Sequence, residues 1–293
     1  MHFTFAAALV AAALLLPNPA EAKDAPVVSL ARASKWEMNY TADTCQLMAR
    51  FGVGQDSMIL ALTREHPGDA FSFQLFGSVL KYDELQVPVD LAFGNETKPK
   101  RYSAVSMTVG ADKLPAVRIA ELRIDGLQSG MNSERNPAIS PATEAGVSAI
   151  VFRRAGGKPY RLETGSLGPP LAAMRICTTD LVRAWGYDPE IENTLSRRPV
   201  PVGSPAGWVR MADFPQGAQS KGHNGLVRFR LDVAANGIPT GCRVLYRTDP
   251  DEFADHSCKL LLQRARFNPA LDAAGKPVKS YYINSIMWLA GGW

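Results

Sequence analysis

The chain has 293 residues, of which 46% are hydrophobic and 20% are charged. This size suits two packed domains, and the composition argues against wholesale disorder. The formal net charge of +4 comes from 32 basic and 28 acidic residues without a block of five or six like charges. Because phosphate binding needs concentrated basic charge, nucleic acid is not expected as a partner.

The first 22 residues are predicted to be a signal peptide. Phe3 to Leu16 is a 14-residue stretch in which every residue but Thr4 is apolar, and Pro17 and Pro19 end it. Small residues in Ala20-Glu21-Ala22 then occupy the positions that a signal peptidase reads. The run is shorter than the about 20 residues of a membrane-spanning helix. We therefore expect the protein to be exported, with a membrane anchor as the alternative if this segment is not cleaved.

Residues 23–188 are predicted to form a β-rich N-terminal domain. Alternation of apolar and polar residues between turn signals predicts strands at 57–63, 70–76, 87–93, 102–109 and 147–153. One helix closes the region, because Leu171, Met174 and Leu181 recur at helical spacing after Pro169-Pro170. Gly186 is predicted to end this helix.

Residues 189–206 are predicted to be a linker. They contain Pro189, Pro199, Pro201 and Pro205 and show little apolar periodicity, which is typical of semi-stiff, extended chain.

Residues 207–293 are predicted to form a small domain with the order strand, hairpin, strand, helix, strand. Gly225 opens the first strand, and Asn236-Gly237 is a strong hairpin signal. Asp249 is the predicted N-cap of a helix, and Lys279 to Leu289 is the predicted last strand. The expected fold class of the whole chain is α+β.

Four cysteines are present, and an even number in an oxidising compartment favours disulfides. Four cysteines allow three connectivities. The simplest assignment keeps each bridge inside one domain and pairs Cys45 with Cys177 and Cys242 with Cys258.

Several short motifs follow one another in order along the last part of the chain. They are Asp213-Phe214-Pro215, residues 225–232, Asn236-Gly237, Cys242-Arg243-Val244, residues 264–270, residues 275–278 and the strand around Trp288. In this order they resemble the C-terminal domain of the TonB family over about residues 208–289. Phe214 stands where the family usually has tyrosine.

The resemblance implies a periplasmic domain that contacts outer-membrane transporters and captures an extended peptide as an added strand. By analogy, the partner-binding edge strand consists of Tyr281, Tyr282, Ile283, Asn284, Ser285, Ile286, Met287 and Trp288. For Tyr282, Ile286 and Trp288 the alternative is packing in the core.

The expected function is that of a periplasmic TonB-family protein that binds an envelope or outer-membrane protein by strand addition. Through the resemblance alone, this function is connected with outer-membrane transport. An extended linker of ~20 residues at about 3.1 Å per residue reaches only some 60 Å, which favours a soluble relative over a force-delivering one. The alternatives are a membrane-anchored energy transducer with an uncleaved N-terminus, and an envelope enzyme with its site in the N-terminal domain.

No enzymatic activity, cofactor or metal is expected. His66, His223 and His256 lie in separate segments without the converging spacing of a metal site. No phosphate-binding loop and no Gly-x-Ser-x-Gly motif occurs in the sequence.

Basic residues alternate along the two strands of the predicted hairpin. Arg228, Arg230, Arg243 and Arg247 are predicted to form a basic stripe on its solvent-facing side. Contact of this stripe with anionic lipid headgroups or acidic cell-wall polymer is an alternative that we do not expect. The sequence does not indicate an oligomeric state.

Overall fold

The computed structural model describes residues 26–94, 98–127, 137–248 and 252–291. The predicted signal peptide, residues 1–22, and the predicted N-cap Asp249 lie outside the described residues. The fold class is α+β as predicted, with a large sheet in the first part of the chain and a small sheet with a helix in the last part.

A ten-stranded sheet, called here the curled sheet, forms the first part of the fold. Its strands are β1 Val28–Ala31, β2 Glu37–Tyr40, β3 Cys45–Phe51, β4 Met58–Arg64, β5 Phe71–Phe76, β6 Gln86–Phe93, β7 Lys100–Val109, β8 Leu114–Leu122, β9 Ile150–Arg154 and β10 Pro159–Glu163. Their order is β1-β10-β9-β6-β7-β8-β5-β4-β3-β2, in which β1 and β10 run parallel. A bridge between Arg32 and Phe51 brings the end of β1 close to β3, so the sheet curls round its own core.

Two helices accompany the curled sheet, α1 Pro141–Gly146 and α2 Gly168–Ala184. The predicted closing helix is α2, and its apolar residues Leu171, Met174 and Leu181 are buried in the same core as the strands. The disulfide between Cys45 and Cys177 joins β3 to this helix. The curled sheet is therefore closed by a covalently attached helix.

The segment 189–206 differs from the extended linker that its prolines predict. It contains α3 Pro189–Thr194 and β11 Val200–Pro201. Asp188 caps α3 by accepting a hydrogen bond from Glu190 N at 2.8 Å. Proline at the first helical position costs no hydrogen bond, so Pro189 starts a helix here instead of extending the chain.

The last part of the chain follows the predicted order of elements. They are α4 Gln216–Ser220, β12 Gly225–Val233, β13 Pro239–Arg247, α5 Glu252–Arg264, β14 Phe267–Asn268, β15 Ala270–Leu271, β16 Pro277–Val278 and β17 Ser280–Trp288. Three of them form an antiparallel sheet in the order β13-β12-β17. The short strand β14 pairs with β11, and β15 pairs with β16.

The β12–β13 hairpin turn depends on a glycine. Gly237 has φ +79°, and a Cβ atom there would lie 1.9 Å from the carbonyl oxygen of Phe267. The Phe267 amide donates to the Gly237 carbonyl at 2.9 Å, which joins the turn to the chain that leaves α5. Only glycine combines this backbone conformation with such a close approach.

Helix α5 covers one face of the three-stranded sheet. Phe229, Leu231 and Leu261 are buried together between them. The disulfide between Cys242 and Cys258 joins β13 to α5. Within the described ranges, none of the helices is both long and apolar enough to cross a bilayer.

Candidate functional site

The strand β17 lies at one edge of the three-stranded sheet. It pairs with β12 over nine residue pairs, from Gly225 opposite Trp288 to Val233 opposite Ser280. In the part of the chain that the structure describes, no strand pairs with its other side, called here the free edge. An edge of this kind presents backbone donors and acceptors to another chain.

Alternate side chains of β17 point toward α5 and pack in the core. The Tyr282 ring lies 5.0 Å from Phe267 and 5.8 Å from Trp208. The Trp288 indole stacks on Phe253 at 5.4 Å between centroids. Ile286 packs against both groups, the one around Trp208 and Phe267 and the one around Phe253. The core packing considered for Tyr282, Ile286 and Trp288 is therefore present in the structure.

One hydrogen bond and one substitution fit this packing. Trp288 Nε1 donates to Ser257 Oγ of α5 at 3.1 Å. Phe214, which replaces the tyrosine of the family pattern, packs edge-on against Trp288 and Phe253 with ring centroids 5.5 Å apart in both pairs. The position therefore serves the core without a hydroxyl group.

The other side chains of β17 point toward the curled sheet. Tyr281 packs edge-on against Trp185 and Tyr187, with centroids 5.3 and 5.5 Å apart. Its burial raises the pKa of the phenol to about 12. Ile283 packs against the same cluster, and Met287 Sδ lies 3.8 Å from Gln86 Nε2. Both faces of β17 are thus in contact with other elements, while the side chains of residues 282–287 stay partly exposed.

The middle of β17 carries two polar residues with local hydrogen bonds. Asn284 Nδ2 donates to Tyr282 Oη at 2.7 Å. The backbone amide of Ser285 donates to Asn284 Oδ1 at 2.8 Å. The side chain of Asn284 therefore lies along the strand and bonds to its neighbours on both sides.

The prediction of a solvent-facing basic stripe is wrong for Arg228 and Arg230. Arg228 and Arg230 are only 4% and 6% exposed. The curled sheet covers the face of the three-stranded sheet on which they lie, opposite α5. Arg228 Nε lies 3.0 Å from Glu65 Oε2, and Arg228 Nη2 donates to Glu121 Oε1. Two carboxylates of the curled sheet thus neutralise a buried guanidinium of the small sheet.

Arg230 makes a second set of contacts with the curled sheet. Its Nη1 atom lies 3.3 Å from Asp43 Oδ1, and its guanidinium lies 4.0 Å above the ring of Trp185. Arg243, directly opposite Arg230 on β13, reaches Asp43 Oδ2 at 3.0 Å while its side chain stays 58% exposed. Asp43 therefore pairs with two arginines, of which Arg230 is buried and Arg243 stays exposed.

A β-bulge places Arg247 on the other face of the sheet. The register shifts between the pairs Arg228–Tyr246 and Phe229–Val244, so one residue of β13 is skipped. Arg247 lies opposite Val227, whose side chain is buried on the α5 side. Simple alternation along β13 predicts that Arg247 lies on the same face as Arg243. The bulge instead places Arg247 on the face that α5 covers.

The interface also contains a buried charge network on the curled sheet. Glu65 lies between Arg228 and Arg118, whose Nη2 atom is 3.7 Å from Glu65 Oε1. Burial lowers the pKa of Arg118, whereas Glu65 and Glu121 outweigh the burial of Arg228 and raise its pKa. Tyr246 completes the contact, since its ring lies 4.6 Å below the Arg118 guanidinium. No local sequence pattern indicates Glu65 and Glu121 as partners of Arg228, because both lie more than a hundred residues from it.

The three histidines in the described ranges are half-buried, have partners of their own and lie far apart. His223 Nδ1 lies 3.0 Å from Glu252 Oε1, and His256 Nε2 lies 2.6 Å from the carbonyl oxygen of Asp213. His66 Nδ1 lies 2.6 Å from the carbonyl oxygen of Pro67. Among the described residues, no three His, Cys, Asp or Glu side chains are grouped in a way that would hold a metal ion.

One open groove of about 600 Å³ lies at an end of the curled sheet. Its lining consists mostly of small and apolar residues, including Ala33, Val53, Ile59 and Phe76. Of the described residues that line it, Arg50 carries the charge. The groove thus brings no pair of titratable groups together.

The last part of the chain is therefore a small α+β domain with a disulfide-linked helix on one face and a strand edge at its border. Residues 211–289 match the family model of the Gram-negative bacterial TonB protein C-terminal. The resemblance predicted from the sequence motifs is thus confirmed for this segment. A comparison with curated proteins found no significant match.

Proposed function

We propose that this protein is a non-catalytic binding protein of the cell envelope, which takes up an extended segment of an envelope or outer-membrane protein along β17. The observation that carries the proposal is the free edge of β17, in a segment that matches the TonB C-terminal family. Residues Tyr281 to Trp288 form the proposed site, and their backbone supplies the main affinity.

The packing around β17 supports entry at the edge over entry at a face. One face is covered by α5 and the other by the curled sheet, so a partner reaches the sheet at an edge strand, and the bulge in β13 leaves β17 as the more regular of the two edges. Strand addition satisfies backbone groups on both chains, which makes it tolerant of the partner's sequence. The partly exposed side chains of residues 282–287 flank the edge and can supply selectivity.

Crosslinking from the edge tests this function. All four native cysteines are paired, so a cysteine introduced at Ile283 is the single free thiol of the chain. We expect Ile283→Cys to crosslink an outer-membrane or envelope protein in intact cells, and the matched variant Thr240→Cys, on the opposite edge strand β13, not to do so. Equal yields from both positions, or self-contacts alone, would refute the assignment.

We further propose that the protein is exported, with residues 1–22 removed as a signal peptide. The support is the apolar run that ends before Ala20-Glu21-Ala22, together with the envelope association of the matched family. Sequencing of the mature N-terminus tests this directly, and we expect Lys23 as the first residue. A retained N-terminus would instead favour the membrane-anchored transducer.

A further inference from the structure

The free edge of β17 carries a backbone donor that is already occupied. Antiparallel pairing turns the amides of alternate residues to opposite sides of a strand. The amide of Ser285 donates to the side chain of Asn284, which places it on the side away from β12. By the same alternation, the amides of Tyr281, Ile283 and Met287 lie on the free edge as well.

We propose that Asn284 guards this edge by occupying the central backbone donor, and that an incoming strand must displace its side chain. This inference rests on the proposed function, because it names the residue that controls strand addition at that site. The incoming chain replaces Asn284 Oδ1 with one of its own backbone carbonyls at the Ser285 amide. The occupant is an extended segment of another polypeptide, as the row of backbone groups along the edge requires.

The identity of residue 284 supports a role beyond packing. The strand reads Ser-Tyr-Tyr-Ile-Asn-Ser-Ile-Met-Trp, and tyrosine, isoleucine and tryptophan all favour strands. Asparagine is depleted in strands, because its short amide competes with the ladder for nearby backbone groups. In β17 that competition falls on the free edge, where it costs no pairing with β12.

The guard is held in place by one neighbour. Tyr282 Oη accepts a hydrogen bond from Asn284 Nδ2 at 2.7 Å, and the Tyr282 ring is fixed between Trp208 and Phe267. Both hydrogen bonds of the amide are thus made within β17. The side chain can therefore swing away without disturbing α5 or the curled sheet.

Hydrogen exchange of the mature protein tests the guard itself. We expect the Ser285 amide to exchange more slowly than the Ile283 and Met287 amides, and to lose this protection in Asn284→Ala. Tyr282→Phe removes the hydroxyl group that orients the amide and is expected to give a partial loss. Equal exchange of the three amides in the unmodified protein would overturn the proposal.

A peptide titration tests the displacement. The probe is a capped peptide with the sequence of residues 225–233, the natural neighbour of β17, labelled for fluorescence anisotropy. We expect Asn284→Ala to bind it about fivefold to tenfold more tightly than the unmodified protein, the worth of one hydrogen bond. Thr240→Ala, a matched polar-to-alanine change on β13, is expected to leave binding unchanged.

The outcomes separate the guard from the proposed function. Equal binding by the unmodified protein and Asn284→Ala would overturn the guard and leave strand addition standing. No binding by either variant would overturn displacement together with strand addition. Dimerisation of Asn284→Ala in analytical ultracentrifugation, without peptide binding, would overturn the assigned occupant in favour of a second copy of the chain.

Discussion

Replacing Arg228 by alanine tests whether the two sheets are held together by charge. Arg228 is 4% exposed and lies between Glu65, whose side chain is 5% exposed, and Glu121. Alanine leaves these carboxylates without the guanidinium that neutralises them, and Arg118 at 3.7 Å from Glu65 compensates only in part. Breaking a buried ion pair on one side costs about 3–5 kcal/mol. For a chain of this size, that loss lowers the melting temperature by about 10 °C.

Urea unfolding followed by tryptophan fluorescence measures this loss. The control is Arg183→Ala, which breaks an ion pair whose side chains are 61% and 55% exposed and is expected to cost less than about 0.5 kcal/mol. The double variant Arg228→Met with Glu121→Gln removes one charge of each sign, leaves the Glu65–Arg118 pair in place and should recover part of the stability. A loss below about 1 kcal/mol for Arg228→Ala would refute the view that this ion pair is buried in solution.

Three further predictions concern the disulfides, a histidine and an aspartate. Replacing Cys45 and Cys177 by serine should lower the free energy of unfolding by about 2 kcal/mol more than replacing Cys242 and Cys258. The reason is that the first bridge spans 132 residues and the second 16, and a longer loop restricts the unfolded chain more. Equal losses in urea unfolding would contradict this prediction. Burial lowers the pKa of His66, so below about pH 6.5 the unfolded chain binds a proton that the folded chain does not, and stability falls from pH 7 to pH 5. We expect a shallower fall for His66→Gln. An unchanged slope of the urea midpoint against pH would count against this prediction. Asp213→Ala should lower the free energy of unfolding by about 2 kcal/mol at both pH 7 and pH 4. Arg264 holds the pKa of Asp213 at about 2, so the stability from this ion pair is lost only as the pH falls through that value. A cost that disappears at pH 4 would contradict this ion pair.

Local patterns in the sequence predicted much of the fold. Strands β4 to β7, helix α2 and the hairpin at Gly237 lie close to their predicted positions, since alternation, helical spacing and turn residues act over a few residues. Strands β1, β2, β3, β8 and β10 were not predicted. In β8, the run from Ala116 to Ile119 is buried on both faces because the small sheet packs on it, which removes the alternation that marks a strand.

The arrangement of the candidate site depended on contacts that no local pattern contains. Arg228 and Arg230 alternate with apolar residues, as residues on a solvent-facing side of a sheet do. In the structure they are buried, and acidic residues from the first part of the chain pair with them. The bulge beside Tyr246 turns Arg247 to the other face, and bulges leave little trace in a sequence. In contrast, the position of β17 after the last helix followed from the order of motifs, and the guard at Asn284 became visible only from the hydrogen bonds of its side chain.

The antiparallel ladder between β17 and β12 has a mechanical consequence. Its nine residue pairs lie side by side, so tension along the strand direction loads the bonds together, whereas tension across the sheet opens them one after another. A polypeptide joined to the free edge and drawn lengthwise would meet the same shear geometry. Such a joint resists pulling along one axis and still releases by peeling, which suits a partner that must be held and later let go.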